Sequence, residues 1–213
     1  MDDTGAVARE RAEAATADKA TERLTFFSDA VIAIAITLLA IELPLPEVAS
    51  MEAFTESVRA HGYEYLAFLI SFGVIGNHWT VHHGVFRYVH RADGRAVRLN
   101  LAWLLVIVAT PFLTKVAAEG HGVLSFASYA VPQALQTLLM AWLIHEIARH
   151  GWFEPDAPPS LTVRGHLRSL YFAAGFLVSI PAYLLIGSWA IALWWLVPVG
   201  LTLATRRYLQ RDD

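Results

Sequence analysis

Residues 23–43, RLTFFSDAVIAIAITLLAIEL, are the stretch of the sequence that decides the fold. From Leu24 to Pro44 the chain is almost entirely apolar, and prolines then end the helix. A helix crosses the apolar core of a bilayer, about 30 Å thick, with roughly 20 apolar residues. The stretch therefore predicts a membrane-spanning helix. Two residues near its start, Ser28 and Asp29, are polar in a place where lipid disfavours them.

The composition of the whole chain is that of a membrane protein. Of its 213 residues 56% are hydrophobic and 16% are charged, whereas soluble domains carry about 25% charged residues. There is no cysteine, which excludes a thiol nucleophile and a cysteine zinc site. The net charge of -3 argues against a nucleic-acid partner. The polar N-terminus lacks the apolar region of a signal peptide, so we expect the first span to be retained.

Six apolar stretches follow one another along the chain, separated by polar or Gly- and Pro-containing connections. They are residues 24–44, 62–83, 99–118, 123–148, 165–186 and 189–205. We therefore predict an all-α integral membrane protein with a six-helix transmembrane domain at 23–207. A polar N-terminal segment, 1–22, precedes it as a surface helix or a mobile tail, and a short C-terminal tail, 208–213, follows it.

The placement of Lys and Arg predicts the orientation of these spans. Basic residues concentrate in the N-terminal segment, in the connections after the second and fourth spans, and in the C-terminal tail. The other connections hold only Arg59, with Lys115 near a span end. Because cytoplasmic loops carry the excess of Lys and Arg, we expect a multi-pass protein of the cell membrane with both termini in the cytoplasm.

One face of the first span carries aliphatic residues at helical spacing. Ile34, Leu38 and Ile41 follow an i, i+4, i+7 pattern, and Thr37 lies beside them. From periodicity alone, ordinary helix packing is the favoured explanation, since this span is apolar all round.

Two motifs resemble the signature of the transmembrane protein 175 family of potassium channels. The first is Arg23 followed, after three residues, by Phe27, Ser28 and Asp29, and then by AIAITLLAIEL. The second is residues 77–112, NHWTVHHGVFRYVHRADGRAVRLNLAWLLVIVATPF. The resemblance is close over the first three spans, and the last three agree only in number and placement.

The resemblance implies a channel that selects potassium over sodium, with no enzymatic activity, catalytic residue, bound metal or cofactor. The first helices of the assembled subunits would line the pore. Ile34 would form its narrowest ring and Leu38 and Ile41 further rings, with the Thr37 hydroxyl beside them. Animal relatives carry two six-span units per chain and form dimers, so one unit per chain implies a homotetramer.

The charged part of the first motif is better explained as a polar brace at the cytoplasmic end of the span. The expected members are Arg23, Phe27, Ser28 and Asp29 on the first span, His78 and Trp79 on the second, and Asn100 on the third. Pairing within such a brace would offset the cost of burying these groups. Without the family match, simple anchoring of the helix ends by Trp and Arg explains the same residues.

Two other functions are compatible with parts of the sequence. Asp29 and the histidines suit the proton relay of a proton-coupled transporter, although no internal repeat is evident. His78 and His82, at i and i+4, suit a metal-dependent membrane enzyme. Such an enzyme needs further histidine clusters, and His145, His150 and His166 lack that spacing.

Overall fold

The computed structural model describes residues 3–209 and contains six long α-helices and one short one. They are α1 (Asp3–Ile41), α2 (Met51–Ala60), α3 (Gly62–Phe86), α4 (Gly94–Glu119), α5 (Gly122–Arg149), α6 (Ser160–Ile186) and α7 (Leu193–Leu209), with a 3₁₀ helix (Gly187–Ala192) before α7. Each predicted span corresponds to one long helix. The prediction of an all-α protein is confirmed.

Two segments differ from the expected boundaries. Helix α1 runs without a break from Asp3 through Arg23, so the part of the N-terminal segment that is described continues the first span. The connection between the first two spans contains α2, where Ser50 Oγ accepts a hydrogen bond from the backbone N–H of Ala53 at 3.0 Å. This is the usual way in which a serine caps the start of a helix. Most of the predicted C-terminal tail, 208–213, lies outside the described residues.

Within the described part of the chain, three stretches are long and apolar enough to cross a membrane. They are Ala15–Ile41, Gly94–Glu119 and Ser160–Thr205, and the last comprises α6, the 3₁₀ helix and most of α7. Helices α3 and α5 are 25 and 28 residues long but carry more polar side chains. The bundle buries many of these side chains, among them Ser71, His78, His82, Gln133, Gln136 and Glu146. The polar residues therefore lower the hydropathy of α3 and α5 while facing protein.

Interhelix contacts define two ends of the bundle. At the Asp93 end, the connections 87–93 and 150–159 meet, with the N–H of His90 donating to the carbonyl of Trp152 at 3.1 Å. At the Gly120 end, the turn between α4 and α5 lies near the end of α6, and the rings of Phe126 and Tyr183 are 4.8 Å apart. Consecutive long helices thus alternate in direction between the two ends.

Helix α1 packs against α3 and α4, while α5 lies between α4 and α6, and α7 packs on α6. One apolar cluster joins α1, α3, α4 and α5 around the fully buried Trp103. A second joins α3, α5, α6 and α7 around Phe176 and Trp194. This arrangement leaves α1 at the side of the bundle, with one face against α3 and α4.

A buried carboxylate fastens α5 at the Asp93 end. Glu146 is 2% exposed and lies within 3.2 Å of Arg149, 3.5 Å of Arg95 and 3.6 Å of His150. Arg95 reaches Glu146 from the neighbouring helix α4, far away in the sequence. The cluster connects the start of α4 to the end of α5, so it fixes the end of the bundle where the polar part of α1 lies.

Candidate functional site

Helix α1 has two faces of different character. Ser28, Ile32, Ala35 and Leu39 are buried against α3 and α4, each at most 3% exposed. Their spacing of four, three and four residues follows the 3.6-residue turn of a helix.

The other face of α1 carries the predicted aliphatic stripe. Ile34 is 59% exposed, Leu38 39% and Ile41 74%. Thr37 is also exposed, and its hydroxyl donates to the carbonyl of Ile34 at 2.8 Å. Among the described residues this is the more exposed face of α1, although Leu38 is partly covered, so it is available to lipid, to water or to other protein chains.

Ser28 anchors the buried face through a hydrogen-bonded chain across three helices. Asn100 Nδ2 on α4 donates to Ser28 Oγ at 2.9 Å, and the Ser28 hydroxyl donates to the carbonyl of Leu24 at 2.8 Å. The other amide atom of the same residue, Asn100 Oδ1, lies 3.0 Å from His82 Nε2 on α3. Ser28, His82 and Asn100 are all completely buried.

The directions of these bonds show that Nε2 of His82 carries a proton. Because Ser28 gives its proton to a carbonyl, Asn100 must turn its NH₂ toward Ser28 and its oxygen toward His82. His82 Nε2 is therefore the donor. The imidazole is stacked between Phe86 and Trp103, with ring centroids 4.1 and 4.9 Å away.

Asp29 makes a second contact between α1 and α3. Trp79 Nε1 donates to Asp29 Oδ1 at 3.0 Å, and the Trp79 ring stacks on His83 at 5.3 Å. Asp29 is half-buried and Trp79 is 41% exposed. This pair lies at the margin of the α1–α3 contact, beside the fully buried Ser28 chain.

The structure thus joins four of the seven expected brace residues into two interhelix contacts: Ser28 with Asn100, and Asp29 with Trp79. The other three stand apart. Arg23 is exposed and makes no hydrogen bond or ion pair with a described side chain, and Phe27 is 51% exposed. His78 is buried with its ring 6.2 Å from Trp103.

The histidine of α3 that contacts Asn100 is His82, one helical turn from His78, which was the expected member of the brace. The i, i+4 spacing placed both histidines on one face of α3, but it gave no indication of which one lies level with Asn100. Among the described residues, no three His, Asp or Glu side chains are grouped so that they could hold a metal ion.

Such an arrangement can hold one helix in fixed register while leaving its other face free. The polar contacts are short and directional, and they connect α1 to both helices on which it packs. A helix restrained in this way presents Ile34, Leu38 and Ile41 at defined heights along the bundle.

The chain is similar in sequence to known proteins. The model of the family described as endosomal/lysosomal potassium channel TMEM175 matches residues 23–111, which contain the aliphatic stripe and both polar contacts. A protein from Streptomyces collinus named potassium channel is 35% identical over 152 residues, covering 67% of this chain and 73% of that protein. A chicken protein named endosomal/lysosomal proton channel TMEM175 is 34% identical over 106 residues, which cover 46% of this chain and 21% of that protein.

A solved structure has the same fold. The crystal structure of a lysosomal potassium-selective channel TMEM175 homolog from Chamaesiphon minutus aligns with a TM-score of 0.70 at 24% identity, over 87% of this chain and 98% of that one. With α1 anchored through its FSD motif, and with the Streptomyces relative matched over most of its length, this chain belongs to the TMEM175 family.

Proposed function

We propose that this chain is one subunit of a potassium-selective channel whose pore is lined by α1. Ile34, Leu38 and Ile41 form successive constriction rings, with the Thr37 hydroxyl beside them. The observation that carries the proposal is the division of α1 into an anchored face and an exposed aliphatic face. The names of its bacterial relatives as potassium channels support the choice of ion.

A pore of this kind needs several copies of the chain. One subunit offers a single α1, and one helix cannot enclose a path for ions. Closed rotational symmetry brings identical faces of identical subunits around one axis. We propose a homotetramer, in which four copies of Ile34 face one another.

The proposed topology has six spans and both termini in the cytoplasm. Six helices are long. The hydrogen bonds of Asn100 with Ser28 and of Tyr171 with Thr205 support a placement of both termini toward the Asp93 end of the bundle. The connections and adjoining helix ends on this side of the bundle carry Arg87, Arg91, Arg95 and Arg149. The positive-inside rule assigns that end to the cytoplasm.

Selectivity in an aliphatic constriction rests on the cost of removing water from the ion. Isoleucine and leucine side chains offer no oxygen to replace a hydration shell, and such a constriction can close by dewetting. Sodium holds its water more tightly than potassium, so it loses more on passing the ring. We propose that this difference favours potassium at Ile34.

The polar contacts of α1 then control the width of the pore rather than its preference for one ion. Ser28 and Asp29 both lie on the cytoplasmic side of Ile34 in the proposed topology. Loss of either contact would let α1 shift or rotate, which changes the width of the constriction. The proposed consequence is an altered open probability with the ion preference retained.

The decisive experiment is reconstitution of the purified protein in planar bilayers, with reversal potentials measured in mixed potassium and sodium. A channel passes current whose reversal follows the potassium gradient. A proton-coupled transporter gives flux that reverses with the proton gradient, and this arm also tests the proton conduction suggested by the names of the animal relatives. A reversal potential of zero under a potassium gradient alone would refute potassium selectivity.

Substitutions test the assignment of the pore. We expect Ile34→Asn to weaken selectivity and Leu38→Ala to raise conductance, because each makes the constriction wetter or wider. Leu105 is a matched control, since it is an exposed leucine of a long helix outside α1, 69% exposed. Leu105→Ala should leave both properties unchanged. The pore assignment is wrong if the α1 substitutions behave like the control.

A further inference from the structure

A large cavity lies at the Gly120 end of the bundle, away from the polar contacts of α1. Its volume is about 720 Å³, and it is lined by α3, α4, α5, the end of α6, the 3₁₀ helix and the start of α7. Cavities that bind small molecules typically measure about 300–1,000 Å³. The turns at Gly120–Gly122 and Ser188–Trp189 border its mouth.

The lining is mainly apolar, with a few residues that carry hydroxyl groups. Leu66, Phe126 and Trp194 supply apolar surface, and Ser71 and Thr114 supply hydroxyls. Among the described residues that line the cavity there is no Asp, Glu, Lys or Arg. The lining also contains His121, which belongs to the turn at the mouth, so a charged ligand in the interior would lose its water without gaining a counter-charge there.

One hydroxyl in the cavity wall lacks a hydrogen-bond partner. Tyr129 is 2% exposed, and its Oη is buried with no partner among the described residues. The neighbouring Ser71 Oγ accepts a hydrogen bond from Thr114 Oγ1 at 2.8 Å. Since a buried polar group that stays unpaired is costly, Tyr129 marks a position where a bound molecule gains a hydrogen bond.

We propose that this cavity binds an uncharged amphiphile. Its hydroxyl or carbonyl oxygen pairs with Tyr129 Oη, and its apolar body packs against Leu66, Phe126 and Trp194. Such a molecule reaches the site either as a small alcohol from water or as a neutral lipid from the membrane. The proposal concerns binding alone and does not depend on the proposed channel function.

Photolabelling of the whole protein in liposomes tests the proposal. The probes are a diazirine derivative of octanol and a diazirine derivative of monooleoylglycerol, and mass spectrometry locates the adducts. We expect saturable labelling of cavity residues, competed by octanol but not by octanoate. Labelling by the octanol probe alone identifies a small alcohol as the ligand, and labelling by both identifies a membrane lipid.

Variants make the test specific. Tyr129→Phe keeps the ring but removes the hydroxyl, and we expect the apparent affinity to fall about 2- to 10-fold, as for loss of one hydrogen bond. Ala117→Trp fills the cavity and should abolish labelling there, whereas Leu105→Trp on the exposed surface should not. Adducts spread evenly over exposed helix faces and insensitive to Tyr129→Phe would overturn the proposal. Tyr129→Phe decides the question even if Ala117→Trp does not fold.

Discussion

Truncating Asn100 is the most direct test of the contact that anchors α1. The Asn100 side chain is completely buried and bridges Ser28 on α1 and His82 on α3. Asn100→Ala removes both hydrogen bonds and leaves His82 Nε2 with no acceptor in a dry site. Each buried group left unpaired costs about 1–3 kcal/mol, so we expect the free energy of unfolding to fall by about 2–4 kcal/mol.

A double-mutant cycle separates the interhelix bond from the rest of that loss. Ser28→Ala alone should cost about 1 kcal/mol, since it removes one acceptor from Asn100. Hydrogen bonds between membrane helices average about 0.6 kcal/mol and reach about 1.7 kcal/mol in such cycles. We therefore expect Ser28→Ala and Asn100→Ala to couple by about 1 kcal/mol.

The assay is equilibrium unfolding by SDS in mixed micelles, followed by tryptophan fluorescence. Thr80→Ala on α3 is the control, because that exposed hydroxyl bonds only to the carbonyl of Gly76 in its own helix, at 2.8 Å. It should couple to neither substitution. If Ser28→Ala and Asn100→Ala are additive within about 0.3–0.5 kcal/mol, the usual limit for independent sites, the anchoring role of this bond is refuted.

Two further substitutions probe contacts near the two ends of the first predicted span, 24–44. Trp79→Phe keeps an aromatic ring beside His83 but removes the N–H donor to Asp29, so we expect an altered open probability with unchanged reversal potential in single-channel recordings. At the other end of the span, Lys115 Nζ lies 2.8 Å from Glu42 Oε2. Lys115→Gln removes this partner and leaves the carboxylate uncompensated near the proposed pore mouth. We expect it to raise the potassium current at low salt. That increase in current should disappear at about 1 M salt, where the screening length is about 3 Å. It should also disappear in the double variant Lys115→Gln/Glu42→Gln. An increase that persists in either condition would contradict the electrostatic explanation.

Much of the helical architecture was predictable, because local sequence marks the ends of most helices. Asp93 caps α4 with bonds to the N–H groups of Arg95 and Ala96, and Gly187 ends α6 with a φ of 59°, a conformation that suits glycine. Helix α2 carried a comparable signal in Ser50 before MEAFTESVRA, but its polar residues made the segment look like a loop. The expected boundary at residue 23 was wrong as a helix start, because residues 3–22 are compatible with a helix and nothing in the sequence interrupts it there.

Of the candidate site, the sequence predicted only which residues of one helix share a face. Periodicity correctly grouped Ile34, Leu38 and Ile41 on one face, and that face is the exposed one. Which residues of α3 meet α1 and α4 depends on how far the helices slide along one another. A slide of one turn, about 5.4 Å, exchanges His78 for His82, and no pattern within a single helix specifies that distance.

The two faces of α1 have to meet opposite requirements, which explains why its anchor is polar. If Ile34, Leu38 and Ile41 line a pore, they cannot also pack against their own subunit, so the opposite face must hold the helix alone. Apolar packing in a bilayer tolerates sliding because lipid tails are as apolar as side chains. The hydrogen bond from Asn100 to Ser28 does not tolerate it, since it is directional. Ile34 lies six positions after Ser28, roughly 9 Å along the helix. The bond between Asn100 and Ser28 therefore fixes the position of the proposed constriction along the bundle.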